Sequence, residues 1–217
     1  MGSDVFLSVG RTSSVEQEAV IKALEQALRT TGVAPRTVGR TDFSSAAPLK
    51  QIEKVLDECH GTVVLALERM SVEKAVARRG SPDESAISQI RLPTVWNHIE
   101  AAMSYRQGLP LLMIVERGLL PEGLLEPSYD WYVQTIAPDP AAFQTNEFRA
   151  VLADWVKKVE AHAAGASVID TPVQDVTALP LGVLLKSMTV PQIWAALGSI
   201  GALLVTVALV AYKLGAA

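Results

Sequence analysis

The stretch "TVWNHIEAAMSYRQGLPLLMIVERG", residues 94–118, begins as a helix and ends as a strand. The first turns of the predicted helix, about residues 95–107, carry Trp96, Asn97, His98 and Glu100. The apolar run at 110–116 is short and uncharged until its last residue, as is typical of a buried strand. The stretch therefore predicts one helix–strand unit with a polar start. That start is either the edge of an active site or ordinary surface.

The same alternation of helix and strand continues on both sides of this unit. Strands are predicted at 4–9, 35–39, 62–68 and 132–137, and helices at 13–32, 48–61 and 146–163. Strands that alternate with helices indicate an α/β fold, a parallel sheet with helices on both faces. Either Ser13 or Ser14 can cap the first helix, because a glutamate or glutamine follows each of them by three residues. In the helix at 48–61, Leu49, Ile52 and Val55 are expected to face inward.

Residues 69–93 break the pattern, because they are charged and mixed in character. We expect an inserted excursion, partly helical, over one edge of the sheet. It lengthens the connection to the helix at 95–107, so it could reshape or cover a pocket there.

In parallel α/β sheets, ligands bind outside the carboxyl ends of the strands. Those ends fall here at residues 8–12, in the loop after Glu68 and in the loop after Glu116. The helix that carries Glu100 follows the excursion and can lie on the same edge. Glu68 and Glu116 are either polar contacts for a ligand or simple strand terminators.

Composition limits the classes of partner. The chain has 217 residues, enough for one domain and an appendage, and a net charge of −4, which does not favour a nucleic-acid partner. The single cysteine, Cys59, cannot form an internal disulfide and is expected to be a packing residue. His60 and His162 lack the spacing of metal ligands, so we expect no metal site.

The end of the sequence has a different character. No charged residue occurs from Ile193 to Tyr212, about the 20 residues that a membrane-spanning helix needs. We therefore expect a globular domain at 1–165 and a linker at 166–190, whose apolar half could lie on the membrane surface. A transmembrane helix is expected at 191–213. Gly198 and Ala202 give a small-residue face on which helices could associate into a homo-oligomer.

Several segments together resemble a TIR or TIR-like domain over roughly residues 4–163. "DVFLSV" resembles the opening strand of that family, and "GRTDFSSAAPLKQIEKVLDECHGTVVLAL" resembles its BB loop, second helix and third strand. "VWNHIEAA" resembles the tryptophan–cysteine–two residues–glutamate motif, with Asn97 in place of the cysteine. "LPLLMIVE" and "DWYVQTIAP" resemble the strands that follow. Flavodoxin-like domains share much of this order, and nucleoside deoxyribosyltransferase-like domains are the nearest rival.

The resemblance implies a catalytic role for Glu100 in cleaving the bond between nicotinamide and ribose in NAD. A carboxylate stabilises the oxocarbenium character that the ribose gains as the base departs. The position of Glu100 near a helix start is expected to keep it ionised through the helix dipole. A glutamate in this position is otherwise an ordinary partner of that dipole.

The resemblance also implies nucleotide-binding residues at the sheet edge. These are Ser8, Gly10, Arg11, Arg40, Asp42, Trp96 and Asn97. Backbone amides and a guanidinium at 8–11 could hold phosphates, although "SVGRTSS" is not a phosphate-loop motif. Trp96 either stacks on a base or packs in the fold, and Arg40 is either a ligand contact or a solvated loop charge. NAD or a related nucleotide is expected as substrate or ligand, with no cofactor required.

Three function classes remain open at this point. The chain could be an enzyme that degrades a nucleotide, a nucleotide sensor whose clustered membrane helices disrupt the bilayer, or an anchored scaffold for protein partners. TIR-like domains joined to membrane spans resemble effectors of bacterial anti-phage systems that act by abortive infection. That resemblance implies a single-pass protein of the inner membrane with its globular domain in the cytoplasm.

Overall fold

A computed structural model of the chain describes residues 2–127 and 131–165. Within them, five strands form one parallel sheet in the order β2-β1-β3-β6-β7. These strands are β1 (Asp4–Val9), β2 (Ala34–Arg36), β3 (Thr62–Ala66), β6 (Leu111–Glu116) and β7 (Tyr132–Ile136). The helices are α1 (Val15–Thr30), α2 (Pro48–Asp57), α3 (Val95–Arg106) and α4 (Asn146–Ala163). The predicted α/β architecture is confirmed.

The side chains of the central strands alternate between two helical layers, as the two-residue period of a strand requires. On one face, Val5 and Leu7 of β1 pack with α1 and α4. On the other face, Phe6 packs with α2 in one cluster, while Val64 of β3 packs with α3 in another. Both faces of the sheet are therefore covered, which explains why its strands read as continuous apolar runs.

The order of the strands creates a switch point between β1 and β3. β1 continues through α1 to β2 on one side, whereas β3 lies on its other side and leads onward to β6. At such a point the loops that follow two neighbouring strands run to opposite faces and leave a crevice at the carboxyl edge. The loop after β1 and the start of α3 border this crevice.

Residues 69–93 differ from the prediction. They form an antiparallel hairpin, β4 (Met70–Ala77) and β5 (Ser85–Leu92), with Met70 opposite Leu92 and Ala77 opposite Ser85. The expectation of a partly helical excursion is wrong, because β-branched residues recur along both arms and Gly80, at φ +80°, closes the turn between them.

The structure also decides two smaller predictions, the cap of α1 and the buried face of α2. Ser14, rather than Ser13, caps α1, since its hydroxyl accepts from the Gln17 amide at 3.2 Å. Leu49 is 51% exposed and does not face inward, while Ile52 and Val55 are buried as expected. Leu49 lies in the first turn of α2, and the buried residues of this helix begin only at Gln51.

Among the residues that the structure describes, no helix is long and apolar enough to cross a bilayer. The linker predicted at 166–190 and the transmembrane helix predicted at 191–213 lie outside those residues.

Candidate active site

The face that α3 turns toward the sheet is polar. Its buried residues are Asn97, Glu100, Ala101 and Ser104, which recur at the three- and four-residue spacing of one helical face. The hydroxyl of Thr94 caps the helix by accepting from the Trp96 amide at 3.4 Å. A helix that buries an amide, a carboxyl and a hydroxyl against a sheet costs stability unless each group finds a partner.

Asn97 joins α3 to the ends of two strands. Its amide nitrogen Nδ2 donates to the Ser8 hydroxyl at 3.0 Å, and it lies 3.4 and 3.5 Å from the carbonyl oxygens of Ser8 and Leu65. Asn97 is 1% exposed and Ser8 is fully buried. The predicted site residues Ser8 and Asn97 are therefore in direct contact at the switch point between β1 and β3.

Glu100 lies one turn further along the same face and is 8% exposed. Burial raises its pKa to about 7, and a hydrogen bond with the Ser8 side chain opposes that rise. The expectation that the helix dipole keeps Glu100 ionised is wrong. Glu100 is the sixth residue of α3, beyond the free amides of the first turn, and loss of solvation outweighs the dipole there.

A second polar pair secures the helix below the carboxyl group. The Ser104 hydroxyl donates to the Glu100 carbonyl oxygen at 2.8 Å and accepts from the Thr62 hydroxyl at 2.9 Å. Ser104 and Thr62 are fully buried. This pair bonds α3 to the start of β3. Glu100 therefore lies on α3 between two contacts with the sheet, Asn97 with Ser8 on one side and Ser104 with Thr62 on the other.

The loop after β1 passes close to the cap of α3. A Cβ atom built on Gly10 would lie 3.1 Å from Cγ2 of Thr94, so a larger residue would crowd the cap. Arg11 is exposed beside it and lines a narrow crevice with Gly10, Thr94 and Arg69. The predicted binding residues Gly10 and Arg11 thus border the same switch point as Ser8.

Next to the crevice lies a cavity of about 350 Å³ on the side of α1. It is lined by Ser13, Ser14, Glu16, Gln17, Glu68, Arg69, Glu116 and Pro138. Glu100 and Asn97 do not line it. The cavity and the carboxyl of Glu100 therefore lie at separate places along the carboxyl edge.

The other predicted binding residues have partners within the fold or face solvent. Arg40 donates to both carboxylate oxygens of Glu18, at 2.8 and 3.0 Å, and Asp42 accepts from Arg36 at 2.6 Å. Trp96 is 42% exposed at the start of α3. The structure does not bring Arg40 and Asp42 to Glu100, and the nucleotide-binding role of these residues stays a prediction.

Sequence reasoning missed the role of Arg91. This β5 residue donates through Nε to Glu68 and through Nη2 to Glu116, and its Nη1 lies 3.0 Å from the Arg117 carbonyl oxygen. Glu116 also accepts from the Glu68 backbone amide at 2.8 Å. The cluster fastens the hairpin to the carboxyl ends of β3 and β6. No local pattern could reveal it, because Arg91 is 23 and 25 residues from its two partners.

Within residues 2–127 and 131–165, no three histidine, cysteine or acidic side chains are placed to hold a metal ion. The rings of His60 and His162 approach to 5.9 Å between centroids, but they form only a pair.

Cys59 is buried, and burial raises the pKa of its thiol to about 12, which leaves it a packing residue.

No protein-family model matches the chain. No curated protein matches it either. The solved structures that are similar at a low level include the following two. The CMP N-glycosidase BcmB of Clostridium botulinum is 14% identical with a TM-score of 0.38, and the match covers 64% of this chain and 93% of that one. The flavoenzyme NAD(P)H:(acceptor) oxidoreductase FerB of Paracoccus denitrificans is 12% identical with a TM-score of 0.38, covering 74% and 98%. Similarity at this level identifies neither a family nor a function.

Proposed function

We propose that this domain binds a nucleotide at its carboxyl edge and hydrolyses the N-glycosidic bond, with Glu100 as the catalytic residue. NAD or a related nucleotide is the proposed substrate. The observation that carries the proposal is the placement of Glu100. It is a carboxyl group with a pKa of about 7, held beside Ser8 and Asn97 where the ends of β1 and β3 meet. Perturbed carboxyl groups of this kind concentrate at functional sites.

The reaction has one bond to break and one to form. The bond between C1′ of the ribose and the base nitrogen breaks, and its electron pair leaves with the base. A water molecule adds to C1′ and releases a proton. The ionised form of Glu100 stabilises the cationic ribose and then accepts that proton. A nicotinamide leaving group is already cationic when bound, so it departs neutral and needs no proton.

The pKa of Glu100 suits this chemistry, because a general base works best when its pKa is near the working pH. At pH 7 both protonation states are populated, so the carboxyl group can take up the proton of the attacking water without a large free-energy cost. A surface glutamate with an ordinary pKa would be a much weaker base.

The direct test is consumption of NAD by the purified 217-residue chain. We expect Glu100→Gln to abolish the consumption while keeping the fold, as measured by circular dichroism and thermal unfolding. Glu147→Gln, an exposed carboxyl in the first turn of α4, is the matched control and is expected to retain activity. Equal consumption by wild type and Glu100→Gln would remove Glu100 from the mechanism.

We further propose that the apolar run at 193–212 anchors the chain in the inner membrane as a homo-oligomer, with the domain in the cytoplasm. In this setting nucleotide cleavage would serve anti-phage defence by abortive infection. The support is the length of the uncharged run and its small-residue face at Gly198 and Ala202.

The sequence also supports a second candidate, a sensor that binds the nucleotide without cleaving it and acts through its clustered membrane helices. Expression in bacteria separates the two. Toxicity that survives Glu100→Gln but disappears when residues 190–217 are deleted would favour the sensor. Toxicity that depends on Glu100 would favour the enzyme.

A further inference from the structure

The polar cluster at Ser8, Asn97 and Glu100 contains one buried atom without a partner. Among the described residues, Oδ1 of Asn97 accepts no hydrogen bond, although Asn97 is 1% exposed. Rotating the side-chain amide, which would exchange the positions of Oδ1 and Nδ2, would not give both atoms a partner. Nδ2 faces the carbonyl oxygens of Ser8 and Leu65. A carbonyl oxygen can only accept a hydrogen bond, so the amide atom that faces these two oxygens must be the nitrogen.

The Ser8 hydroxyl defines the direction of the bonds in this cluster. Its oxygen accepts from Nδ2 of Asn97 at 3.0 Å. Its own hydrogen is therefore available for its bond with the Glu100 carboxyl. Glu100 follows Asn97 by three residues, so the two side chains are neighbours on the face of α3 that covers the strand ends.

We infer that Ser8, Asn97 and Glu100 form a closed ring of three hydrogen bonds, in which the neutral Glu100 carboxyl donates its proton to Oδ1 of Asn97. One oxygen of Glu100 accepts from Ser8, the other carries the proton, and every buried polar atom of the ring has a partner. Asn97 is thus a positioning residue that holds Glu100 as an acid in one orientation. Its importance for catalysis rests on the function proposed above.

The surroundings of the carboxyl support this assignment. Burial and the bond with Ser8 are the two influences on the pKa of Glu100, and no charged group of the described strands and helices contributes. His98, on the same helix, responds to burial and to Glu122 instead. When Glu100 ionises, Oδ1 of Asn97 faces a negative charge rather than a donor. The ring therefore favours the neutral form, and arrival of a cationic ligand would favour the ionised one.

The ring is tested without substrate by a pH titration of the 217-residue chain, following the Glu100 side-chain carboxyl by carbon NMR. We expect Asn97→Leu to raise the acid dissociation constant of Glu100 roughly tenfold, because the neutral form loses its acceptor. Ser8→Ala is the matched variant and is expected to move the constant in the opposite direction, because the ionised form loses its donor. An unchanged or lowered constant in Asn97→Leu would overturn the ring.

A second measurement uses the wild-type protein and does not depend on the folding of a variant. The nitrogen resonance of the Asn97 side-chain amide should shift with the same midpoint as the Glu100 carboxyl. An amide signal that stays constant through that titration would also overturn the ring. Neither result depends on NAD consumption, so failure of the ring and failure of the proposed activity are distinguishable.

Discussion

Nδ2 of Asn97 donates to the Ser8 hydroxyl at 3.0 Å, and this hydrogen bond joins two residues that are 89 positions apart in the sequence. The bond fastens the start of α3 to the carboxyl end of β1. Because Glu100 is one turn further along the same helix, its carboxyl is held beside Ser8, close to the carboxyl edge of the sheet.

The stability of the domain should depend on the protonation of Glu100. Its pKa is raised from 4.5 to about 7 in the folded protein, so the unfolded chain releases this proton at lower pH than the folded one. The stabilising contribution of the neutral Glu100 carboxyl is therefore complete below about pH 4.5. It is lost as the pH rises toward 7 and stays lost above that pH. The whole change is worth about 3 kcal/mol.

Glu100→Gln isolates this effect, because glutamine keeps the shape of the neutral acid and does not titrate. We expect the variant to gain about 3 kcal/mol in free energy of unfolding, relative to wild type, between pH 4.5 and pH 8. Urea denaturation at a series of pH values measures the difference. A difference that stays constant over this range would show that Glu100 has an ordinary pKa.

The pH dependence of NAD cleavage should have the opposite direction from that of stability. The proposed mechanism uses the ionised form of Glu100, so the rate should rise with pH through about 7 and level off above it. Initial rates of nicotinamide release between pH 5 and 9 provide the measurement. A rate that falls across this range would indicate that Glu100 acts as an acid on the leaving base instead.

Arg91 should be important for stability, although it lies on the exposed hairpin. Arg91→Ala leaves the carboxylate of Glu116, whose side chain is 4% exposed, without its cationic partner. We expect a loss of about 3 kcal/mol in free energy of unfolding. The control is Arg78→Ala on the same hairpin, whose ion pair with Asp83 is 3.6 Å long and more than 70% exposed on both sides.

The control should change stability by less than about 0.5 kcal/mol, because an exposed pair contributes little. Chemical denaturation of both variants at neutral pH compares them. Equal effects of the two substitutions would mean that the Arg91 cluster does not hold the hairpin to the sheet.

Gly10 should tolerate a side chain only if Thr94 becomes smaller. In Gly10→Ala the new Cβ lies about 3.1 Å from Cγ2 of Thr94, which we expect to cost about 1 kcal/mol of stability by crowding the cap of α3. Thr94→Ser removes Cγ2 and keeps the capping hydroxyl. The double variant should therefore recover most of the loss, whereas additive losses would place the crowding elsewhere.

Much of the fold could be predicted from the sequence because its signals are local. The apolar strands, the amphipathic helices and the cap at Ser14 each depend on residues within a few positions of one another. The expectation of a partly helical excursion at 69–93 failed because most residues of the hairpin are exposed, and charged residues interrupt the apolar residues along both of its strands.

The site was predictable in part. Ser8, Asn97 and Glu100 were named from the sequence, and the structure brings them together. The raised pKa of Glu100 was not predictable, because it depends on burial under other elements rather than on position in a helix. The partners of Arg40, Asp42 and Arg91 were also hidden, since each is chosen by tertiary contacts that no sequence spacing records.

The most direct test of the account is nicotinamide release from NAD by the 217-residue chain at pH 8, with wild type and Glu100→Gln compared at equal concentration. We predict steady release by wild type and none above background by the variant, with both proteins folded. Release at the same rate by both proteins would contradict it.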